Sequence, residues 1–254
     1  MSWSPRGVLL GPAALATLLV LGACAPRPVQ RSGWTGEMEI DRLLQADAER
    51  LQGLTDLTAE VHFWLHEVGS ASGSLLFQPP SLLRLDVRGP LFRRIFSAVL
   101  DGDELTAVAN DRIYQMPAHD GLDVFLDIDL GGYDPRLALL GLVAPARIGI
   151  DKIEYPRADR ARVTINDGIE GQRRRLWFDL HTGFVQREEL VTEGGQVRWI
   201  RQLSEWRVLP GTDVYLPKRV RVESQDRVLE LEYLKIRVDR GLQRVTFFQG
   251  IADP

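Results

Sequence analysis

Residues 57–65 read Leu57-Thr58-Ala59-Glu60-Val61-His62-Phe63-Trp64-Leu65. Leu57, Ala59, Val61, Phe63 and Leu65 alternate with Thr58, Glu60, His62 and Trp64, and residues two apart share one face of a strand. A Gly-Ser-Ala-Ser-Gly stretch at 69–73 then turns the chain. The same period predicts strands at Ser74–Gln78, Leu82–Arg88, Ile95–Leu100, Leu105–Ala109 and Arg112–Gln115. Asp101-Gly102-Asp103 is a tight-turn sequence between two of them. Short strands joined by local turns make an antiparallel meander, which excludes a doubly wound parallel sheet.

Asp134-Pro135 starts a helix, with an acceptor at the N-cap and proline at the first helical position, and Pro145 ends it. Phe125–Leu130 fits helix or strand equally. Strand character returns near Ile148–Tyr155 and Val163–Ile165, then at Leu176–Leu180, Phe184–Leu190, Val197–Glu205, Tyr215–Val222 and Arg227–Val238. In the last segment the apolar phase slips from Leu229, Leu231 and Tyr233 to Leu234, Ile236 and Val238, as a β-bulge requires. Together these elements predict a mainly β, α+β fold of about eleven strands. A sheet of that size tends to curl.

Upstream, Ile40, Leu43, Leu44, Ala48, Leu51 and Leu54 recur at spacings of three and four, one stripe of an amphipathic helix. Asp41, Asp47, Glu49 and Arg50 fall outside that stripe. Before the helix, Val8–Leu21 is an uncharged run preceded by Arg6, a signal-peptide layout too short to span about 30 Å of hydrocarbon. It closes on Leu21-Gly22-Ala23-Cys24, and small residues before a thiol suit cleavage there and alkylation of the sulfur. The expected organisation is a signal peptide over 1–23, a lipid-anchored tether over 24–36 containing Pro26, Pro28 and Gly33, and one domain over 37–254.

Cys24 is the only cysteine, so an intramolecular disulfide is excluded. The formal net charge of −4 gives no support to nucleic-acid binding or to bulk attraction toward anionic lipid. No nucleophile elbow, paired-histidine zinc motif or phosphate loop occurs, and His62, His66, His119 and His181 are scattered. Asp120, Asp123, Asp127 and Asp129 lack calcium-loop spacing, and Arg173-Arg174-Arg175 reads as a solvated strand start. The residues indicate neither an enzyme nor a bound cofactor or metal.

Leu21-Gly22-Ala23-Cys24 resembles the lipobox of bacterial lipoproteins. The remainder resembles the lipoprotein-carrier superfamily, which contains the periplasmic carrier and the outer-membrane receptor of the lipoprotein-localisation (Lol) system. The resemblance is carried by the helix before the first strand, Gly73–Val87, Arg88-Gly89-Pro90-Leu91, Leu100–Asp103, Trp177–Gly183 and Tyr215–Val222. It implies an unclosed, strongly curved antiparallel β-barrel with helices covering the opening and a greasy interior. Phe63, Leu65, Leu75, Phe77, Leu83, Leu85, Val87, Phe178 and Ile200 are then candidate cavity residues. Leu91, Phe92, Arg93 and Arg94 are a candidate membrane or cargo loop. Arg84 is the loose match to a buried arginine that, in the periplasmic carrier, bonds the helical lid. The implied function is a lipid-anchored carrier or receptor for lipids or lipoproteins, on the outer membrane and facing the periplasm. Its partners would be acyl chains, the membrane and envelope transport proteins, with no nucleic acid. The alternative is a non-catalytic accessory lipoprotein of an envelope export or assembly machine, with the same fold and a packed interior.

Overall fold

The computed structural model describes residues 37–65, 69–89, 94–126, 128–144, 149–166, 171–225 and 227–251. The leader, Cys24, the tether, His66, Leu91, Phe92, Arg93 and the side chain of Arg94 lie outside them.

The opening stretch forms β1 (Leu57–Leu65), followed by β2 (Gly69–Gln78), β3 (Leu82–Arg88), β4 (Arg94–Asp101), β5 (Glu104–Ala109) and β6 (Arg112–Pro117). After two short helices, α2 (Gly121–Leu126) and α3 (Pro135–Leu140), come β7 (Gly149–Arg157), β8 (Arg160–Asn166), β9 (Gln172–Asp179), β10 (Phe184–Thr192), β11 (Val197–Val208), β12 (Tyr215–Ser224) and β13 (Arg227–Val238). All thirteen lie in one sheet, in the order β6-β5-β4-β3-β2-β1-β13-β12-β11-β10-β9-β8-β7. Two meanders, running outward to β6 and β7, are therefore sewn together by the antiparallel β1–β13 pair.

The expected strongly curved barrel of about eleven strands, with helices over its opening, is corrected. The sheet is unclosed, as expected, with β6 and β7 as its edges, but among the described residues it has thirteen strands and is not strongly curled. Its helices are α1 (Glu37–Ala48), of twelve residues, and α2, α3 and α4 (Arg244–Phe248), of six or fewer, and they do not form a cover over an opening. The sheet is covered piecemeal instead. Leu82 and Val99 on one face of β3 and β4 pack against Phe247 and Ile251 of the C-terminal segment, while Leu83, Leu85 and Leu100 on the other face join the main core. A β3 buried on both faces leaves no hollow side there.

Gly69–Gly73, expected as a turn, is paired strand, with Gly69 beside Leu65. A Cβ on Gly73 would stand 2.2 Å from the Asp86 carbonyl, so the small residues permit close strand approach. The bulge in β13 is present: Glu60 faces Lys235 and Val61 faces Tyr233, leaving Leu234 as the extra residue, 57% exposed. The slip returns Ile236 and Val238 to the core face. The stripe Ile40, Leu43, Leu44, Leu51 and Leu54 is buried, but α1 ends at Ala48, so Leu51 and Leu54 follow it in turns instead of extending the helix, and Asp47 is buried too, contrary to expectation.

Candidate functional site

The segment from Ile128 to Ala144 lies over the core face of β9–β12, and side chains of the sheet and α1 hold its backbone. Asp134 caps α3 by accepting from the Arg136 N–H at 2.8 Å, as the sequence predicts. The helix ends earlier than Pro145, at Gly141 in the left-handed region, φ 66°. A Cβ there would meet Pro217 Cγ at 2.5 Å, so strand β12 also needs a glycine at this point.

The carbonyls freed at that end are taken up one by one. Arg201 of β11 donates from Nη1 to Leu137 O at 2.6 Å and from Nη2 to Leu142 O at 2.7 Å. Arg174 of β9 donates to Ala144 O at 2.8 Å, Tyr233 to Leu139 O at 2.9 Å, and Trp199 Nε1 to Leu130 O at 2.9 Å. Arg50, in the turn after α1, donates to Gly141 O at 2.7 Å, and Asp47 of α1 accepts from the Val143 N–H at 2.7 Å.

Both sheet arginines meet one carboxylate. Glu188 of β10 faces Arg201 across the strand pair and bonds its Nη2, while its other oxygen accepts from Arg174 Nη1 at 3.0 Å. All three residues are 0% exposed. The Tyr133 ring lies 5.4 Å from the Arg201 guanidinium carbon, and burial pushes its phenol well above the ordinary range. Burial also raises the Asp47 carboxyl, against the lowering pull of Arg50, and lowers the Arg50 guanidinium. For Arg201 burial acts downward, but the Glu188 carboxylate acts upward and the net direction is up.

Beside this cluster opens a cleft of about 530 Å³, walled by Leu130, Tyr133, Pro135, Leu137, Ala144 and Leu190. Asp103, His119, Asp134 and Gln172 supply its polar rim. Gln172 Oε1 is buried there and has no hydrogen-bond partner among the described residues. The size and mixed lining suit a small-molecule site.

Of the candidate cavity residues, Phe63, Leu75, Phe77, Leu83, Leu85, Val87 and Phe178 sit in one closed core cluster, and Leu65 packs against it. None of them lines the cleft. Ile200 is half-buried on the opposite sheet face, beside Glu189, and its neighbours Trp199 and Arg201 take the core positions. Arg84 is buried on that opposite face, held by Asp86 at 2.8 and 2.9 Å, and donates to Phe247 O at 3.0 Å and Gln249 O at 2.7 Å. It anchors α4, on the far side of the sheet from the cleft.

The sequence reading missed Arg174, Glu188 and Arg201. Period two carries the signal for two of them: Arg174 is in phase with Leu176 and Phe178, and Arg201 with Trp199 and Leu203. Arg173 and Arg175, out of phase, are solvated and pair with Asp151 and Glu189. Among the described residues no group of histidine, cysteine or carboxylate side chains can hold a metal. His119 pairs only with its neighbour Asp120 at 3.3 Å, and Asp129 pairs with Arg198 at 2.7 Å and caps the Gly131 N–H.

No family model and no curated protein matches the chain. Solved structures do. A putative outer membrane lipoprotein-sorting protein domain from Vibrio parahaemolyticus matches with a TM-score of 0.59 at 10% identity, over 83% of this chain and 97% of that one. A LolA superfamily protein from Nitrosomonas europaea gives 0.55 at 12% identity, over 82% and 96%. A DUF1329 family protein from Desulfovibrio piger gives 0.61 at 11% identity, over 83% and 96%. At such identities the likeness is one of fold alone.

Proposed function

We propose that the chain is a carrier or receptor for lipids or lipoproteins in the bacterial envelope, lipid-anchored through Cys24 to the outer membrane and facing the periplasm. The observation that carries this reading is the apolar-walled cleft of about 530 Å³ beside an otherwise closed core, in a fold shared with a lipoprotein-sorting domain. Burying acyl chain at about 25 cal/mol per Å² would supply affinity without a directional site. The Tyr133 ring and the rim of the cleft would orient a headgroup. Leu91 and Phe92, beside Arg93 and Arg94, form the loop proposed to meet membrane or cargo, with apolar groups for tails and cations for headgroups.

The test is recovery of the protein from membranes under gentle conditions, followed by mass spectrometry of the bound material. A stoichiometric acylated ligand is expected. Its absence from repeated preparations overturns the carrier reading. The second reading, an accessory lipoprotein of an envelope machine, is favoured by the closure of the core around Phe63, Leu75 and Leu83, each 0% exposed.

A further inference from the structure

The cleft beside Tyr133 draws its walls from both meanders. Asp103 comes from the turn before β5 and His119 from the segment after β6, while Gln172 and Leu190 belong to β9 and β10. The Ala118 N–H donates to the Asp103 carbonyl at 2.8 Å, which ties the first two stretches together. Gln172 opens β9 opposite Thr192. It is in phase with Arg174, Leu176 and Phe178, and so stands on the core face of the sheet, where the cleft lies.

The polar groups along these walls do not balance. Asp134 is held by Arg136, whose Nη2 donates to it at 2.7 Å and whose Nη1 donates to Ser81 O at 2.6 Å. His119 is beside Asp120 at 3.3 Å, and Arg198, next to Gly131, is held by Asp129 at 2.7 Å. Asp103 is left over, exposed on the rim with no partner for its carboxylate among the described residues. Gln172 Oε1 is the matching feature inside: it is buried and accepts from no donor among the described residues. A buried acceptor without a donor carries a desolvation cost that a ligand N–H removes. The cleft therefore presents a free carboxylate and a free amide oxygen, and each cation on its described walls already has an oxygen partner.

We infer that the cleft selects an acylated molecule whose polar end carries a primary ammonium, which donates to the Gln172 amide oxygen in the field of the Asp103 carboxylate while the acyl chain lies against Leu130, Leu137 and Leu190. A primary ammonium brings three N–H donors, a positive charge and no acceptor that would need its own donor. A quaternary ammonium matches Asp103 in charge but has no N–H for Gln172. An anionic head meets Asp103 as a like charge, with no free cation on the described walls to offset it. The inference rests on the carrier reading of the same cleft and adds the chemistry of the headgroup. Two sources offer that chemistry, an ethanolamine phospholipid and the free amino terminus of a diacylated lipopeptide.

The experiment uses the full-length Cys24→Ala chain, so that no attached acyl group competes for the cleft. It is titrated calorimetrically with short-chain phosphatidylethanolamine, phosphatidylcholine and phosphatidylglycerol as monomers, and with a diacylated lipopeptide whose amino terminus is free or acetylated. Binding of the free amine roughly tenfold or more tighter than its blocked counterpart is expected in at least one pair, ethanolamine against choline or free against acetylated peptide, and that pair identifies the source. Gln172→Met should abolish this preference and leave binding of the blocked counterpart in place. Asp103→Asn should abolish the preference of the cationic heads over the glycerol head, with the melting temperature unchanged. Equal affinity within both pairs, tighter binding of the glycerol head, or a preference that survives both substitutions overturns the inference and leaves the carrier reading standing. Failure of every probe to bind overturns both.

Discussion

Arg201 and Glu188 face each other across β10 and β11, both fully buried, and Arg201 carries the Leu137 and Leu142 carbonyls at the end of α3. One arginine thus joins the sheet to the segment that walls the cleft. Replacing Glu188 by Gln leaves Arg174 and Arg201 buried without their carboxylate. The expected loss is about 3–5 kcal/mol, because the desolvated cations keep their cost and lose their compensation. Chemical unfolding of the E188Q variant measures it, and the triple change Glu188→Leu, Arg174→Met and Arg201→Met should cost less than the single one. A larger loss in the triple variant would contradict this account.

Asp47 gives the fold a pH dependence of known sign. Its carboxyl is raised by burial, against the pull of Arg50, so the folded chain holds that proton more tightly than the unfolded chain. The contribution is therefore full below the ordinary carboxylate range and is lost as pH rises through the folded value. Asp47→Asn cannot ionise. The stability of the D47N variant minus that of the parent should grow between pH 4 and pH 7, measured by urea unfolding. A flat difference would remove Asp47 from the pH response.

How much of this was legible depends on whether a feature is local. The alternation in 57–65 and the slip in 227–238 are properties of single strands, and both the strand and the bulge at Leu234 are found where the pattern puts them. The Asp134 cap is equally local. The number of strands and how far the sheet curls depend on which strands pair, and the β1–β13 pairing joins residues at opposite ends of the domain. Charge also misleads where partners are distant in sequence. Asp47 reads as solvent-facing, and only the Val143 N–H and Arg50 make its burial tolerable. Arg174 stands in a basic run that reads as solvated, yet its phase with Leu176 turns it inward to Glu188. The cleft residues Leu130, Tyr133 and Leu190 come from a loop and a strand with no shared period, so no sequence pattern marks them.

Arg84 fixes the C-terminal segment. It donates to the Phe247 and Gln249 carbonyls while Asp86 holds it in place. Arg84→Met should remove the donors to the Phe247 and Gln249 carbonyls and release α4. Amide hydrogen exchange across 240–251 should accelerate more than tenfold in the R84M variant, with the β10–β11 amides unchanged at first. Uniform acceleration throughout would mean that the segment is not separately anchored.

Gly73 is set by strand approach. A methyl group at this position would lie 2.2 Å from the Asp86 carbonyl oxygen and 3.0 Å from Phe63 Cε2. Backbone cannot yield as a flexible side chain does, so Gly73→Ala must push β2 and β3 apart. The expected destabilisation is about 1–3 kcal/mol or more, read from the denaturation midpoint. The neighbouring Ser72→Ala change is expected within about 0.5 kcal/mol of the parent, since Ser72 is exposed.

The cleft itself is tested by filling it. Leu137 is half-buried on α3 and lines the opening beside Tyr133 and Pro135, and its carbonyl, not its side chain, is bonded to Arg201. Leu137→Trp adds bulk into the open volume while leaving that bond available. If the cleft holds acyl chain, the bound acylated material recovered with the L137W variant should fall at least about tenfold, the loss expected when one buried anchor contact worth about 1.4 kcal/mol is replaced by exclusion. Thermal stability should hold or rise, because the indole occupies space otherwise left to solvent. Undiminished recovery, with the fold intact, would move the ligand away from this cleft and leave the Ile128–Ala144 segment a structural strap over β9–β12.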